Sequence, residues 1–133
     1  MGFTIYEPSA THVLMTKEEM KQRTKAFGLR VIKLFRALPA SEEARIIGRQ
    51  LLRSGISVGA NYRSACRAKS TADFINKLKI VEEEADESLF WMELLVEGQL
   101  MSEQQVGPLM QEGDELVAIV VAAIKTSRQG QTS

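Results

Sequence analysis

The stretch SGISVGANYRSACRAKSTADFINKLKIVEEEADESLFWMELL, from Ser54 to Leu95, decides the fold. Its first part carries small residues and spaced arginines; then Ala68 and Lys69 form a very short break, and Ser70 or Thr71 supplies the N-cap of a second helix. After the cap, Phe74, Leu78, Val81, Ala85, Ser88, Met92 and Leu95 alternate at spacings of four and three, the signature of a helix with one buried stripe. Upstream, Ser41 caps a helix with Glu42 and Glu43 in its first turn, where the dipole favours negative charge, and Ile47, Leu51, Val58, Tyr62 and Ala65 line its inner face. Two long helices joined by a tight turn must fold back antiparallel.

Working outward, Thr16 and Glu19 form a capping box that starts another helix. Met20, Thr24, Phe27, Val31, Leu34 and Leu38 give it a stripe, and Pro39 ends it because proline disfavours helix in the residue before it. Towards the other terminus, Gly98 is a stop, Ser102 with Gln105 offers a second capping box, and Val106, Met110, Val117, Val120 and Ile124 face inward. Pro108 beside Gly107 is expected to bend or delay this last helix. The expected helices are about 17–38, 42–67, 71–97 and 103–126, flanked by an N-terminal tail at 1–16 and a polar, frayed tail at 128–133. Short loops between long helices imply an all-α, antiparallel up-down-up-down four-helix bundle.

Composition narrows the function classes. With 133 residues, 44% hydrophobic and 26% charged, the chain can hold one core without staples. Cys66 is the only cysteine, so neither an intrachain disulfide nor a thiolate zinc cluster is available, which fits a reducing cytoplasm. The first fifteen residues have no basic, apolar leader pattern, and no run is long enough to cross a membrane. The one histidine, His12, lies ahead of the first helix and reads as a solvated residue; without a second histidine, a di-metal bundle site or a Ser-His or Cys-His nucleophile is hard to assemble. No phosphate-binding glycine loop is present. The reading assigns no catalytic residue, cofactor, metal or small-molecule substrate.

Charge is balanced at 17 Lys or Arg against 17 Asp or Glu, yet residues 17–69 carry a formal +9 and residues 70–133 a formal −8. Mutual neutralisation along neighbouring helices is one reading, and a nucleic-acid footprint is the other. The acidic run Glu82, Glu83, Glu84, Asp86 and Glu87 points around most of a helix rather than converging as a cation site, and the ladder Arg45, Arg49 and Arg53 is placed to lace against it. Gly55 and Gly59 sit inside a helix at a cost of about 1 kcal/mol each relative to alanine, so another backbone must approach them. That neighbour is either a helix of the same bundle or a second subunit. Ile75, Leu89, Phe90, Trp91, Val96, Leu116, Ile119 and Val121 lie outside the single stripes and favour a homo-oligomer, with Gly55, Gly59, Phe90 and Trp91 as candidate interface residues.

The residues Ser57 to Arg63, Ser70, Asp73 to Ile75, Lys77-Leu78, Glu84 to Glu87 and Trp91 to Leu95 resemble the bacterial 23S rRNA-intervening-sequence proteins. The signature positions are Asn61, Tyr62, Arg63, Ser70, Phe74, Glu84, Glu87 and Trp91. The resemblance implies a compact up-down bundle that assembles as a homopentamer, and related bundles are nucleic-acid-binding accessory proteins of diversity-generating reverse transcriptases. Those accessory proteins are strongly basic, whereas this chain is neutral. Two functions are expected on these grounds. The first is a non-enzymatic oligomeric scaffold recruiting another macromolecule. The second is an RNA- or DNA-binding accessory factor using Arg63, Arg67, Lys69, Lys77 and Lys79 near the central turn, with Lys21, Lys25 and Lys33 from the first helix.

Overall fold

In a computed structural model of the chain, which describes residues 2–6 and 12–132 with side chains from Met15 to Gly130, four helices follow a pair of short strands. They are β1 (Gly2–Tyr6), β2 (His12–Thr16), α1 (Lys17–Arg36), α2 (Glu42–Ala65), α3 (Thr71–Glu97) and α4 (Glu103–Thr132). The five-residue connectors between helices reach at most about 20 Å, while the helices themselves span about 30 to 45 Å. Each helix therefore returns alongside the one before it. α1 packs on α2, α2 on α3, α3 on α4, and α4 closes the ring against α1.

The helix ends form where the capping residues stand. Thr16 Oγ1 accepts from the Glu19 backbone N–H at 3.0 Å, and the Glu19 carboxylate accepts from the Thr16 backbone N–H at 3.3 Å. Ser41 and Ser70 cap α2 and α3 by accepting from Ala44 and Asp73 at 3.2 and 3.0 Å, and Ser102 exchanges bonds with Gln105. α1 stops at Arg36, two residues short of expectation: Pro39 disfavours the α region in the residue before it, and Ala37 and Leu38 close the helix with tighter bonds to Leu34 and Phe35. At the end of α3 the left-handed residue is Gln99, φ 61°, not Gly98. The Leu100 N–H reaches the Leu95 carbonyl at 2.9 Å and the Gln99 N–H reaches Val96 at 3.0 Å, a Schellman closure. Gly98 is needed for space, since a Cβ there would lie 2.7 Å from the Leu94 oxygen.

α4 departs most from expectation. It begins at Glu103, undelayed, with Pro108 inside it; Gly107 has no Cβ to collide with the proline ring, so the residue before Pro108 can stay helical. It then continues to Thr132 rather than ending at 126. Residues 2–6 and 12–16 are not a tail but an antiparallel pair, with Gly2 opposite Thr16 and Tyr6 opposite His12. β1 packs against α4 and β2 against α1. The side chain of His12 lies outside the described residues.

The core holds the expected stripes of α1, α2 and α3, with Leu38, Ile47 and Phe74 packed on its margin. In α4 the buried residues are Val106, Leu109, Leu116, Ile119, Val120, Ala123 and Ile124, while Met110 and Val117 are only half-buried. A helix touching both α1 and α3 buries a wider arc than one seam. The same geometry accounts for Ile75 and Leu89, which are buried between neighbouring helices of the same chain. Most of the apolar surplus that suggested a second subunit is thus consumed internally. Phe90 is the exception, half-exposed on α3.

Candidate nucleic-acid interface and partner surfaces

Folding redistributes charge along the bundle axis. The 2–3 turn, the start of α1 and the end of α4 lie at one end: residues 17–27, 55–79 and 118–132 carry a formal +8, whereas residues 28–54 and 80–117 carry −7. The sequence halves do lie side by side, as expected, yet neutralisation is incomplete because the acids of α3 and α4 concentrate at the far end. Arg63, Arg67, Lys69 and Lys79 are exposed at the basic end, joined by Lys125 and Arg128 from α4. None of these six has an acid within ion-pair distance among the described residues. Lys77 is different: its Nζ lies 3.2 Å from Asp73, whose carboxylate also accepts from the Lys69 backbone N–H. Those two hydrogen bonds, the Lys69 one first, hold the Asp73 carboxyl below its ordinary range. Lys125 and Arg128 escape a reading of the sequence because they lie about sixty residues from the central turn; only the closing of α4 on α1 brings them in.

The ladder of arginines is mostly free. Arg53 pairs with Glu84 at 3.3 Å and with Glu87, but Arg45 and Arg49 have no acidic partner within 4.0 Å among the described residues. Glu87 also accepts from Trp91 Nε1 at 3.0 Å, and the Trp91 ring meets Phe90 edge-on at 5.0 Å between centroids. Arg53 on α2 therefore steadies Glu87, which steadies Trp91, which braces the exposed Phe90. A second cross-link was not anticipated: Arg23 on α1 forks onto Glu112 at 2.8 and 2.9 Å and reaches Glu115 at 2.7 Å on α4. The Glu112 bonds raise the Arg23 guanidinium further above its already high pKa.

Gly55 and Gly59 face α1 of the same chain. A Cβ on Gly55 would sit 2.7 to 3.0 Å from three carbons of Val31, and one on Gly59 would sit 3.2 Å from the Thr24 carbonyl oxygen. Of the two neighbours open to them, the bundle's own helix takes the place. Above this crossing runs a groove of about 400 Å³ between α1 and α2, with Gly28, Leu29, Ile56 and Gly59 along it and Lys25 and Arg63 at its rim. Among the described residues no cluster of three His, Cys, Asp or Glu is arranged to hold a metal ion, and no helix is long and apolar enough to cross a membrane.

The sequence profile of the 23S rRNA-intervening sequence proteins matches residues 16–122, from the cap of α1 through most of α4. The chain belongs to this family. A crystal structure from Bacteroides thetaiotaomicron VPI-5482, of a protein with unknown function from the S23 ribosomal protein family, is similar to it at 34% identity, with a TM-score of 0.77 over 84% of this chain and 99% of that one. No curated protein matches this chain.

In this member of the 23S rRNA-intervening sequence family most of the signature side chains take part in caps, packing and the α2–α3 network. Ser70 caps α3, Asn61 Nδ2 donates to the Ser57 carbonyl at 2.8 Å, and Phe74 lies under the Lys17 ammonium at 4.8 Å. Glu84, Glu87 and Trp91 form the Arg53 network already described. Tyr62 is buried, its hydroxyl without a hydrogen-bond partner among protein atoms; burial, and then the nearby Cys66 thiol, push its phenol well above the usual range. Arg63 is exposed at the groove's rim.

Proposed function

We propose that this protein is a non-enzymatic docking module that binds nucleic acid, structured RNA foremost, through the basic end of the bundle. The observation that carries the reading is the axial separation of charge, +8 against −7, in a chain whose net charge is zero. Exposed cations without acidic partners, gathered from three helices and one turn, suit a phosphate backbone read by shape. Such a module would act in the cytoplasm, where a lone thiol stays reduced. Fluorescence anisotropy with a labelled RNA hairpin tests it. Three to five phosphate contacts give a log-log salt slope of about −2 to −4; absence of binding at low salt, or a flat slope, overturns it.

A second reading, a self-associating scaffold with the homopentamer implied by resemblance, is favoured by Phe90, which is 50% exposed yet held by Trp91. Light scattering on the purified chain tests it, and a monomer at micromolar concentration counts against it.

A further inference from the structure

We infer that Cys66 is a modification site for hydroperoxides and that the buried Tyr62 hydroxyl is placed to hold the sulfenic acid formed there. Tyr62 and Cys66 stand one turn apart at the end of α2, where the Cys66 backbone N–H donates to the Tyr62 carbonyl at 3.0 Å, so their side chains share a face. Tyr62 is 1% exposed, and its hydroxyl finds no partner among protein atoms. The other buried hydroxyls behave differently: those of Thr24, Ser54 and Ser88 donate to the carbonyls of Met20, Leu51 and Glu84 at 2.9, 3.3 and 2.9 Å. A buried donor left idle in a folded protein calls for a reason. The polar group beside it is the Cys66 thiol, a weak acceptor.

Cys66 itself is half-buried, so solvent reaches it. Arg63 and Arg67, to either side in the chain, are exposed and have no acidic partner among the described residues. The carbonyl end of α2 disfavours a thiolate at this position, whereas the two guanidinium groups favour one, and the thiolate is the nucleophile. Its sulfur attacks one oxygen of the peroxide; an S–O bond forms as the O–O bond breaks, sulfur gives up two electrons, and the leaving hydroxide takes the proton shed by the thiol and becomes water. The product presents an oxygen, a full acceptor, where sulfur was a poor one, and the Tyr62 O–H can donate to it. Cys66 is the only cysteine, so no second thiol of the chain can resolve the sulfenic acid into a disulfide. Its lifetime then depends on what holds it. This chemistry needs neither RNA nor a second copy.

Hydrogen peroxide is the probe. The reduced protein receives a single dose, catalase removes the excess, and dimedone added at intervals reports the surviving sulfenic acid by mass spectrometry. Label should fall on Cys66, be absent from Cys66→Ala, and decay about three- to tenfold faster in Tyr62→Phe, the effect of losing one hydrogen bond. Circular dichroism checks that Tyr62→Phe keeps the helical melt of the parent. A second measurement needs no Tyr62 variant: the carbon-13 resonance of Tyr62 Cζ, which bears the hydroxyl, should move when the parent is oxidised and stay still in Cys66→Ala. A parent that takes no label overturns the site. A lifetime equal in parent and Tyr62→Phe, or a Tyr62 resonance indifferent to oxidation, overturns the hydroxyl's part in it.

Discussion

Replacing Gly55 with alanine sets two effects of opposite sign against each other, and the α1–α2 crossing decides the outcome. In an exposed helix the change gains about 1 kcal/mol from propensity and unfolded-state entropy. Here the new methyl would lie 2.7, 2.8 and 3.0 Å from Cγ2, Cγ1 and Cβ of Val31. Carbon contacts prefer about 3.5 to 4.0 Å, and a β-branched side chain on a helix has almost no other rotamer to retreat to. The helices must part by most of an ångström locally, and overpacking of this kind costs about 1 to 3 kcal/mol. Because Gly28 and Gly59 share the crossing, the separation is felt along it, and the cost falls at the upper end of that range. The net expectation for Gly55→Ala is a loss of about 1 to 2 kcal/mol. Val31→Ala alone loses two buried methyl groups and leaves a cavity, a cost of about 2 kcal/mol. The double variant removes both Cγ contacts and keeps only the 3.0 Å one to Cβ of residue 31, so most of the clash is relieved and its loss falls short of the sum of the single losses by about 1 kcal/mol. Urea unfolding followed by circular dichroism measures all three. A Gly55→Ala protein as stable as the parent, or a strictly additive cycle, would refute the close-crossing argument.

Three other positions give sharp outcomes. Gln99→Gly relieves a left-handed residue at the end of α3 and should raise stability by about 1 kcal/mol in the same unfolding assay. Tyr62→Phe removes a buried hydroxyl that has no hydrogen-bond partner and should leave stability unchanged or raise it by about 1 kcal/mol, with a loss of similar size counting against that assignment. Asp73 should titrate below the ordinary aspartate value of 3.8 in a carboxyl NMR titration; since its folded pKa is depressed, its contribution is full above the unfolded value and fades as pH falls through the folded one, and Asp73→Asn abolishes that dependence.

The helical part of this fold is legible in the sequence because heptad stripes, caps and short connectors all point the same way. Thr16 with Glu19, Ser41, Ser70 and Ser102 mark four starts, and each is the N-cap observed. The hairpin is not, although Gly2-Phe-Thr-Ile-Tyr and His-Val-Leu-Met-Thr are rich in β-branched and aromatic residues around Pro8-Ser9: two five-residue strands gain stability only by packing on α1 and α4, a tertiary fact. The phase of α4 is obscured for a related reason. Val106, Val120 and Ile124 hold on any plausible stripe, but Leu109, Leu116 and Ile119 are buried because two neighbours demand a broad face. The same broadening makes Ile75 and Leu89 look like leftovers for a partner. Of the basic residues named near the central turn, Arg63, Arg67, Lys69 and Lys79 are free and gathered; Lys77 is tied to Asp73. The axial division of charge is hidden because the sequence separates it by helix, and only folding shows which ends coincide.

Location, rather than amount, of positive charge is what the nucleic-acid reading depends on. Two triple variants of equal charge change separate the two: Arg67→Gln, Lys69→Gln and Lys79→Gln at the basic end, against Lys33→Gln, Arg36→Gln and Arg45→Gln towards the acidic end, all six exposed and without an acidic partner among the described residues. In anisotropy titrations with one RNA hairpin across a salt series, the first set should flatten the log-log slope by about 2 and weaken binding at every salt concentration, while the second leaves the slope where it was. Equal losses from both sets, or a parent slope untouched by the first, would contradict the account.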